Sequence, residues 1–431
     1  MPEPTTQQII LSAVLVFGIA TTCQVVAPKL RIPALVLLLP AGFILGIVAP
    51  ALVPDAILGP VFPILVDFVV AIILFQGGVG LSRIKLKGRD RGVVRRLVWI
   101  GAPITWGLAA LGAYFIIGMP WPMAIMLGAI LIVSGPTVIN PILDFARPSA
   151  RVRGILVWEG TLLDPLGALV AVVVFQIVKA TDATTVAEGV WIFFGGILLA
   201  TGAAAIGTVL FIVGGSLVRG NQLLATQVVL ASVIVTAGLA NLVTNDSGLL
   251  AALLMGMAAP RIARRMGVPP GTQSPFFDTI VSIGIGVLFV SIAALVPLDT
   301  VEAILIPTVI VALLLIVVQR PLVSALCSMG SGLTRKERMF IAAMDPRGIV
   351  AAATASSVGA VLVAAQVPGA QDLLPAAFII IAVTVTFYGL TAIPVAKALG
   401  LRVPDGADTP DASAAQEEPA GSSISPAEPT P

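Results

Sequence analysis

The chain has 431 residues, of which 58% are hydrophobic and only 11% charged, with a net charge of +2 and a mean hydropathy of +1.07. No water-soluble core needs so much apolar surface, so soluble and disordered classes are excluded and a polytopic, all-α membrane protein is predicted. The absence of histidine excludes His-based metal sites, general bases and pH sensors, and leaves proton chemistry to carboxylates.

The first apolar run follows no basic region and no small-residue cleavage site, so the N-terminus is expected to be retained. Apolar runs fall at about 9–27, 32–49, 60–78, 97–118, 121–145, 152–178, 189–215, 222–243, 247–260, 275–297, 300–326, 337–365 and 373–399, which predicts thirteen spans. Loop charges alternate in step with that count. Odd-numbered loops hold Lys29 and Arg31, seven cations from Arg83 to Arg96, then Arg147, Arg151 and Arg153, and likewise Arg219, Arg261–Arg265, Arg335–Arg338, Lys397 and Arg402. Even-numbered loops hold acids such as Asp55, Asp182, Asp246, Asp299 and Asp372, with Lys179 their lone cation. The positive-inside rule then puts the N-terminus outside and the C-terminus in the cytoplasm. The basic stretch 83–96 is expected either as an interfacial segment against anionic lipid or as a solvated loop. Residues 403–431, rich in Pro, Ala, Ser, Asp and Glu, are expected to be a disordered cytoplasmic tail after a membrane domain of residues 1–402. Cys23 and Cys327 read as buried small hydrophobes, not as a disulfide or a metal site. Nothing points to a cofactor or to nucleic acid.

Few ionisable groups lie deep in these spans: Asp67, Glu159, Asp164, Arg320, Asp345 and Arg347. An ionised Asp at a helix centre costs about 2.5–3.5 kcal/mol on insertion scales. The run Trp158-Glu159-Gly160-Thr161-Leu162-Leu163-Asp164-Pro165 carries two carboxylates five positions apart. They point about 140° apart around a helix, so one faces a cavity while the other faces a neighbouring helix. Arg320 needs a carboxylate in hydrocarbon, and Glu159 is its expected partner in a structural ion pair. That leaves Asp164 free. Asp67 either lines a vestibule or bonds a neighbouring hydroxyl, and the hydroxyl is favoured. Asp246 either attracts cations at the outer face or caps a helix.

Two spans carry helix breakers. In Ser134-Gly135-Pro136-Thr137-Val138-Ile139-Asn140-Pro141, Pro136 and Pro141 release the carbonyls of Ile132 and Thr137. Those carbonyls and the Ser134 and Thr137 hydroxyls are hard oxygen ligands suited to a monovalent cation. In Asp345-Pro346-Arg347-Gly348, Pro346 releases the carbonyl of Ala342. The two spans stand seven apart, an odd number, so units of six spans (about 9–178 and about 222–399) lie inverted around a linker helix at about 189–215. Discontinuous helices at matching places in inverted repeats point to a transporter's ion site. Arg347 reads as architecture that offsets carbonyl dipole ends.

These residues resemble the monovalent cation:proton antiporter superfamily, in its bacterial sodium/proton exchanger branch, over nearly the whole chain to about residue 400. The resemblance rests on Glu159-x₄-Asp164 after a Pro-broken span, with Arg320 and the Arg347-Gly348 of the second broken span. It implies thirteen helices, a dimer domain, a moving core domain, and two broken helices crossing at the midplane of the plasma membrane. It also implies Asp164 as the shared cation and proton site, Glu159 with Arg320 as the stabilising pair, and Ser134 as a cation ligand. The chain departs from the family at Leu163 (usually Asn), Gly135 (usually Asp) and Gly160 (often Ser). Thr137, Thr161 and the Thr161 carbonyl released by Pro165 are the expected substitutes. The wording also resembles a bacterial subgroup that often carries a cytoplasmic nucleotide-binding domain, which the short tail does not supply.

The reading reached is a secondary antiporter exchanging Na⁺, with K⁺ and Li⁺ as alternatives, for H⁺. With one free carboxylate, one cation is expected per proton. A potassium/proton antiporter or potassium efflux system shares these features. An intramembrane hydrolase fits poorly, because Asp164 and Asp345 lack the usual flanking glycine and no Ser–His pair is available. A sensor would need an output domain.

Overall fold

A computed structural model of the protein describes residues 5–403 except 31, 60, 85, 87, 180–185, 219–220, 244–246 and 266–274. The predicted tail, apart from Val403, and the capping or cation-attracting reading of Asp246 lie outside the described residues. So do several loop charges, including Arg31 and Arg219.

Among the described residues all regular structure is helical. In chain order the main helices are α1 (Thr6–Leu30), α2 (Leu35–Val48), α3 (Val61–Arg83), α4 (Gly88–Ile117), α5 (Trp121–Ile130), α6 (Pro136–Ala146), α7 (Ala150–Lys179) and α8 (Val186–Leu217). They continue as α9 (Gln222–Asn241), α10 (Ser247–Arg265), α11 (Pro275–Ala293), α12 (Leu298–Cys327), α13 (Arg335–Ala342), α14 (Ile349–Ala364) and α15 (Leu373–Ala398). Among the described residues eight helices are long and apolar enough to cross a membrane, and five shorter apolar ones accompany them. Apolar residues surround most of these helices, as lipid on one side and protein on the other require.

The helices pack as two groups. One holds α1, α2, α3, α8, α9, α10 and α11; the other holds α4 to α7 and α12 to α15. Glycines let backbones touch inside the first group: a Cβ on Gly78 of α3 would run into the Leu253 carbonyl of α10, and one on Gly256 of α10 into the Phe75 carbonyl of α3. The groups meet along α7, which touches α3, α8 and α10, where α15 packs on α2, and where α14 approaches α11 and α3.

From Gly88 onward the stretch 83–96 is not a solvated loop, one of the two forms expected of it. Gly88–Arg96 is helical and opens α4, with Asp90, Val93 and Val94 buried on one face. That face is held by protein. Arg151 of α7 donates to Asp90 at 3.0 and 2.7 Å and to the carbonyls of Ser331 and Gly332, while Arg96 donates to the Met329 carbonyl at 2.5 Å. The spacing Asp90, Val93, Val94 is that of neighbours on a helix, a signal masked by the surrounding arginines. Cys23 and Cys327 are both buried and free.

Replacing Gly256 with Leu should force α3 and α10 apart. The expected outcome is a strongly lowered unfolding midpoint in detergent, while Gly80→Leu, where a Cβ meets nothing, leaves it nearly unchanged.

Candidate functional site

Both breaker-rich spans are interrupted. After α5 the chain tightens through bonds from Ile132 to Ala129 and from Val133 to Ile130. It then extends at Gly135 (φ −108°, ψ 152°), and α6 starts at Pro136, where a missing N–H costs nothing. Pro141, expected to belong to the break, lies inside α6, which runs through it without interruption. The other interruption separates α13 from α14 and contains Asp345, Pro346 and Arg347, with Gly348 at the N-terminal end of α14. The Ser134 hydroxyl donates to the Pro346 carbonyl at 3.1 Å and ties the two interruptions together.

Helix α7 continues through Pro165 and presents its two carboxylates to different neighbours. Arg320 of α12 donates to both Glu159 oxygens, at 2.6 and 2.9 Å, and to the Ile341 carbonyl at 2.9 Å. A π-helical turn at Leu315–Gln319 sits immediately before Arg320 and shifts the helix register there. Asp345 lies 3.9 Å from Arg320 and 2.8 Å from Arg347. Glu159, Arg320, Asp345 and Arg347 therefore form one buried chain of alternating charges with zero net charge. Gln319 extends it, accepting from Arg347 at 3.4 Å and donating to Thr105 at 2.6 Å.

Asp164 stands apart from this chain. It is 1% exposed, and among the described residues neither carboxylate oxygen has a hydrogen-bond partner. Its surroundings are backbone ends. A Cβ on Gly135 would stand 2.8 Å from one Asp164 oxygen. A Cβ on Gly348 would stand 2.8 Å from the Gly135 nitrogen and 3.7 Å from the other oxygen. The glycines are the N-cap residues of α6 and α14, so the positive ends of two half-helices converge on one carboxylate. The Thr137 and Thr161 hydroxyls are buried and, among the described residues, also without partners. Thr161 precedes Asp164 by one turn, and its methyl lies 3.2 Å from where a Cβ on Gly77 would be. At Gly160 a Cβ would make ordinary contacts with Ile139 and Ser134, at 3.4 and 3.5 Å, so a small side chain would fit there without strain.

The sequence pattern described as sodium/hydrogen exchanger, transmembrane, matches residues 13–398. The chain belongs to this sodium/hydrogen exchanger family. It is 26% identical over 353 residues to Na(+)/H(+) antiporter 1 of Methanocaldococcus jannaschii, covering 78% of this chain and 79% of that one. A structure of the sodium proton antiporter MjNhaP1 from Methanocaldococcus jannaschii at pH 8 is similar in fold, with a TM-score of 0.77 and 24% identity, over 91% of this chain and 99% of that one. An electron-microscopy map of MjNhaP1 gives a TM-score of 0.73 with 22% identity, over 93% and 100%.

Sequence reasoning did not single out Thr105, Gln319 or the contact of Gly348 with the Asp164 carboxylate. Gln319 stood beside Arg320 in an apolar run, and that was a usable signal, since a buried amide needs partners as much as an arginine does. Thr105 had none. Asp67 does not bond a hydroxyl as expected: among the described residues its carboxylate has no partner, and it lines a cavity.

Replacing Arg320 with Met strands Glu159 in a buried site, at an expected cost of about 3–5 kcal/mol. Thermal unfolding in detergent checks this, and the double change Glu159→Met with Arg320→Met should be milder than Arg320→Met alone.

Proposed function

We propose that this protein is a secondary active transporter that exchanges cytoplasmic Na⁺ for external H⁺, with Asp164 as the shared site. The observation that carries the proposal is the buried Asp164 carboxylate, unpartnered in both oxygens, at the meeting of two interrupted helices. A carboxylate out of water needs either a proton or a cation to offset its charge, so the two ligands exclude each other. Thr161 and Thr137 offer hydroxyl oxygens and the interruptions offer backbone carbonyls. The N-terminal ends of α6 and α14 stabilise the anion when both ligands have left.

Glu159 and Arg320 serve as a structural pair that locks α7 to α12, and Asp345 with Arg347 sets the second interruption. The four charges cancel, so only Asp164 changes its state during a cycle. One cation is then exchanged per proton, without net charge movement.

Eight long and five shorter apolar helices support thirteen spans in two inverted repeats, about 9–178 and about 222–399, around a linker helix at about 189–215. The group containing α1, α2 and α3 acts as the dimer domain of a homodimer, and the group containing α5, α6, α13 and α14 as the moving core. Alternate exposure of Asp164 follows from motion of one group against the other along α7. The loop charges support an N-terminus outside a bacterial plasma membrane and a C-terminus inside, a setting suited to pH homeostasis.

K⁺ is the second reading. Gly135, Gly160 and Leu163 contribute no polar side chain around Asp164, and a cation that sheds its water more readily than Na⁺ suits a site with fewer oxygen ligands.

In liposomes with an acid interior and a pH dye, external Na⁺, K⁺ and Li⁺ are added in turn. At least one should collapse the gradient in the wild type and none in Asp164→Asn; a mutant that still exchanges places the site elsewhere. An imposed membrane potential should leave the rate unchanged, whereas a potential-driven current contradicts the one-to-one exchange.

A further inference from the structure

The cavity lined by Asp67 is separate from the Asp164 site. It has a volume of about 90 Å³ and lies among α3, α10, α11 and α14, where the two helix groups face each other. That is room for several waters, and so for a partly hydrated monovalent cation. Asp67 brings an unpartnered carboxylate from α3, and Thr354 and Ser357 bring hydroxyls from α14 on the opposite wall. Ser357 donates to its own helix at the Ala353 carbonyl, 3.1 Å away, which leaves its oxygen lone pairs toward other ligands.

The cavity has a direction. Pro63 and Ser357 at one end are exposed, while Val70 and Val350 at the other are buried. Val350 follows Gly348, the neighbour of the Asp164 carboxylate, by two residues. On α3, Gly77 marks the level of Thr161, and Val70 lies seven residues before it, about 10 Å along the axis. Asp67 is ten residues before Gly77, about 15 Å away. The cavity thus starts at the end of α3 remote from Arg83 and stops short of Asp164 behind two valines.

We infer that this cavity is the outer vestibule and that Asp67 is a second cation station in it, drawing a hydrated monovalent cation from outside toward Asp164. The inference rests on the antiport reading of Asp164. A single carboxylate between low-dielectric walls focuses the field and raises the local cation concentration. The walls belong to both helix groups, so a shift of one against the other would part Val70 from Val350. Asp67 would then govern access from one face only. A carboxylate that merely supported the fold would affect both.

The test uses the full-length protein in right-side-out and inverted membrane vesicles, with exchange read against Na⁺ concentration on the accessible face. In Asp67→Asn the half-saturating Na⁺ concentration should rise by about threefold to tenfold at the outer face, with the inner-face value and both maximal rates unchanged. Asp67→Glu should return it to near the wild-type value. Equal values for Asp67→Asn and wild type, or an equal change at both faces, would overturn the inference. Asp164→Asn should abolish exchange at both faces; if it does not, the Asp164 reading fails, whatever Asp67 does. Should Asp67→Asn not accumulate, Ser357→Cys with Cys23→Ser and Cys327→Ala keeps the question open to measurement. A cationic methanethiosulfonate added outside should label it about fivefold faster than an anionic one, and equal rates overturn the inference.

Discussion

A guanidinium in a hydrocarbon setting must have a carboxylate, and here the requirement is met across two helices: Arg320 of α12 holds both oxygens of Glu159 on α7. An unpaired charge at that depth costs several kcal/mol, whereas a bidentate pair with a third bond to the Ile341 carbonyl satisfies most of the guanidinium. The pair fixes the rotation of α7 about its own axis. Once Glu159 is turned toward α12, the five-residue offset turns Asp164 toward the interrupted helices. The geometry of the site is in that sense a consequence of a bond made elsewhere.

The interruptions solve a second problem. A carboxylate deprived of water needs polar surroundings, yet side-chain donors would occupy its oxygens. Gly135 and Gly348 bring helix ends to the carboxylate without placing a hydrogen-bond donor on it, since both Asp164 oxygens lack partners. Dipole ends are diffuse, and they favour negative charge without blocking a ligand. Glycine at 135 suits the same packing, because a Cβ there would stand against the Asp164 carboxylate. Asp345 joins this division of labour by sitting between two arginines, so the charges around the crossing cancel.

Much of this was legible in the sequence. Apolar run lengths located the helices, since a bilayer demands about twenty apolar residues for each span. Pro136 and Pro346 marked the interruptions because a proline ring removes a donor wherever it sits. The cost of a buried charge singles out Glu159, Asp164, Arg320, Asp345 and Arg347 from the sequence. Pro141 misled because its local chemistry matches that of Pro136, and only the neighbouring helices determine which proline ends a segment. Asp67 misled for a related reason, since a sequence carries no record of empty space.

What the chain alone determined were quantities set by local covalent chemistry and transfer energies: a helical membrane protein, its approximate spans, its breakers and its few costly charges. The tertiary structure decided what those groups face. Asp345 lies between Arg320 and Arg347, Gln319 and Thr105 complete the buried network, the stretch Gly88–Arg96 packs on protein, and Asp67 borders a cavity. Each of these depends on helices far apart in the chain meeting at one depth and one rotation. Side-chain packing and backbone approach set that relation, and no local pattern encodes it.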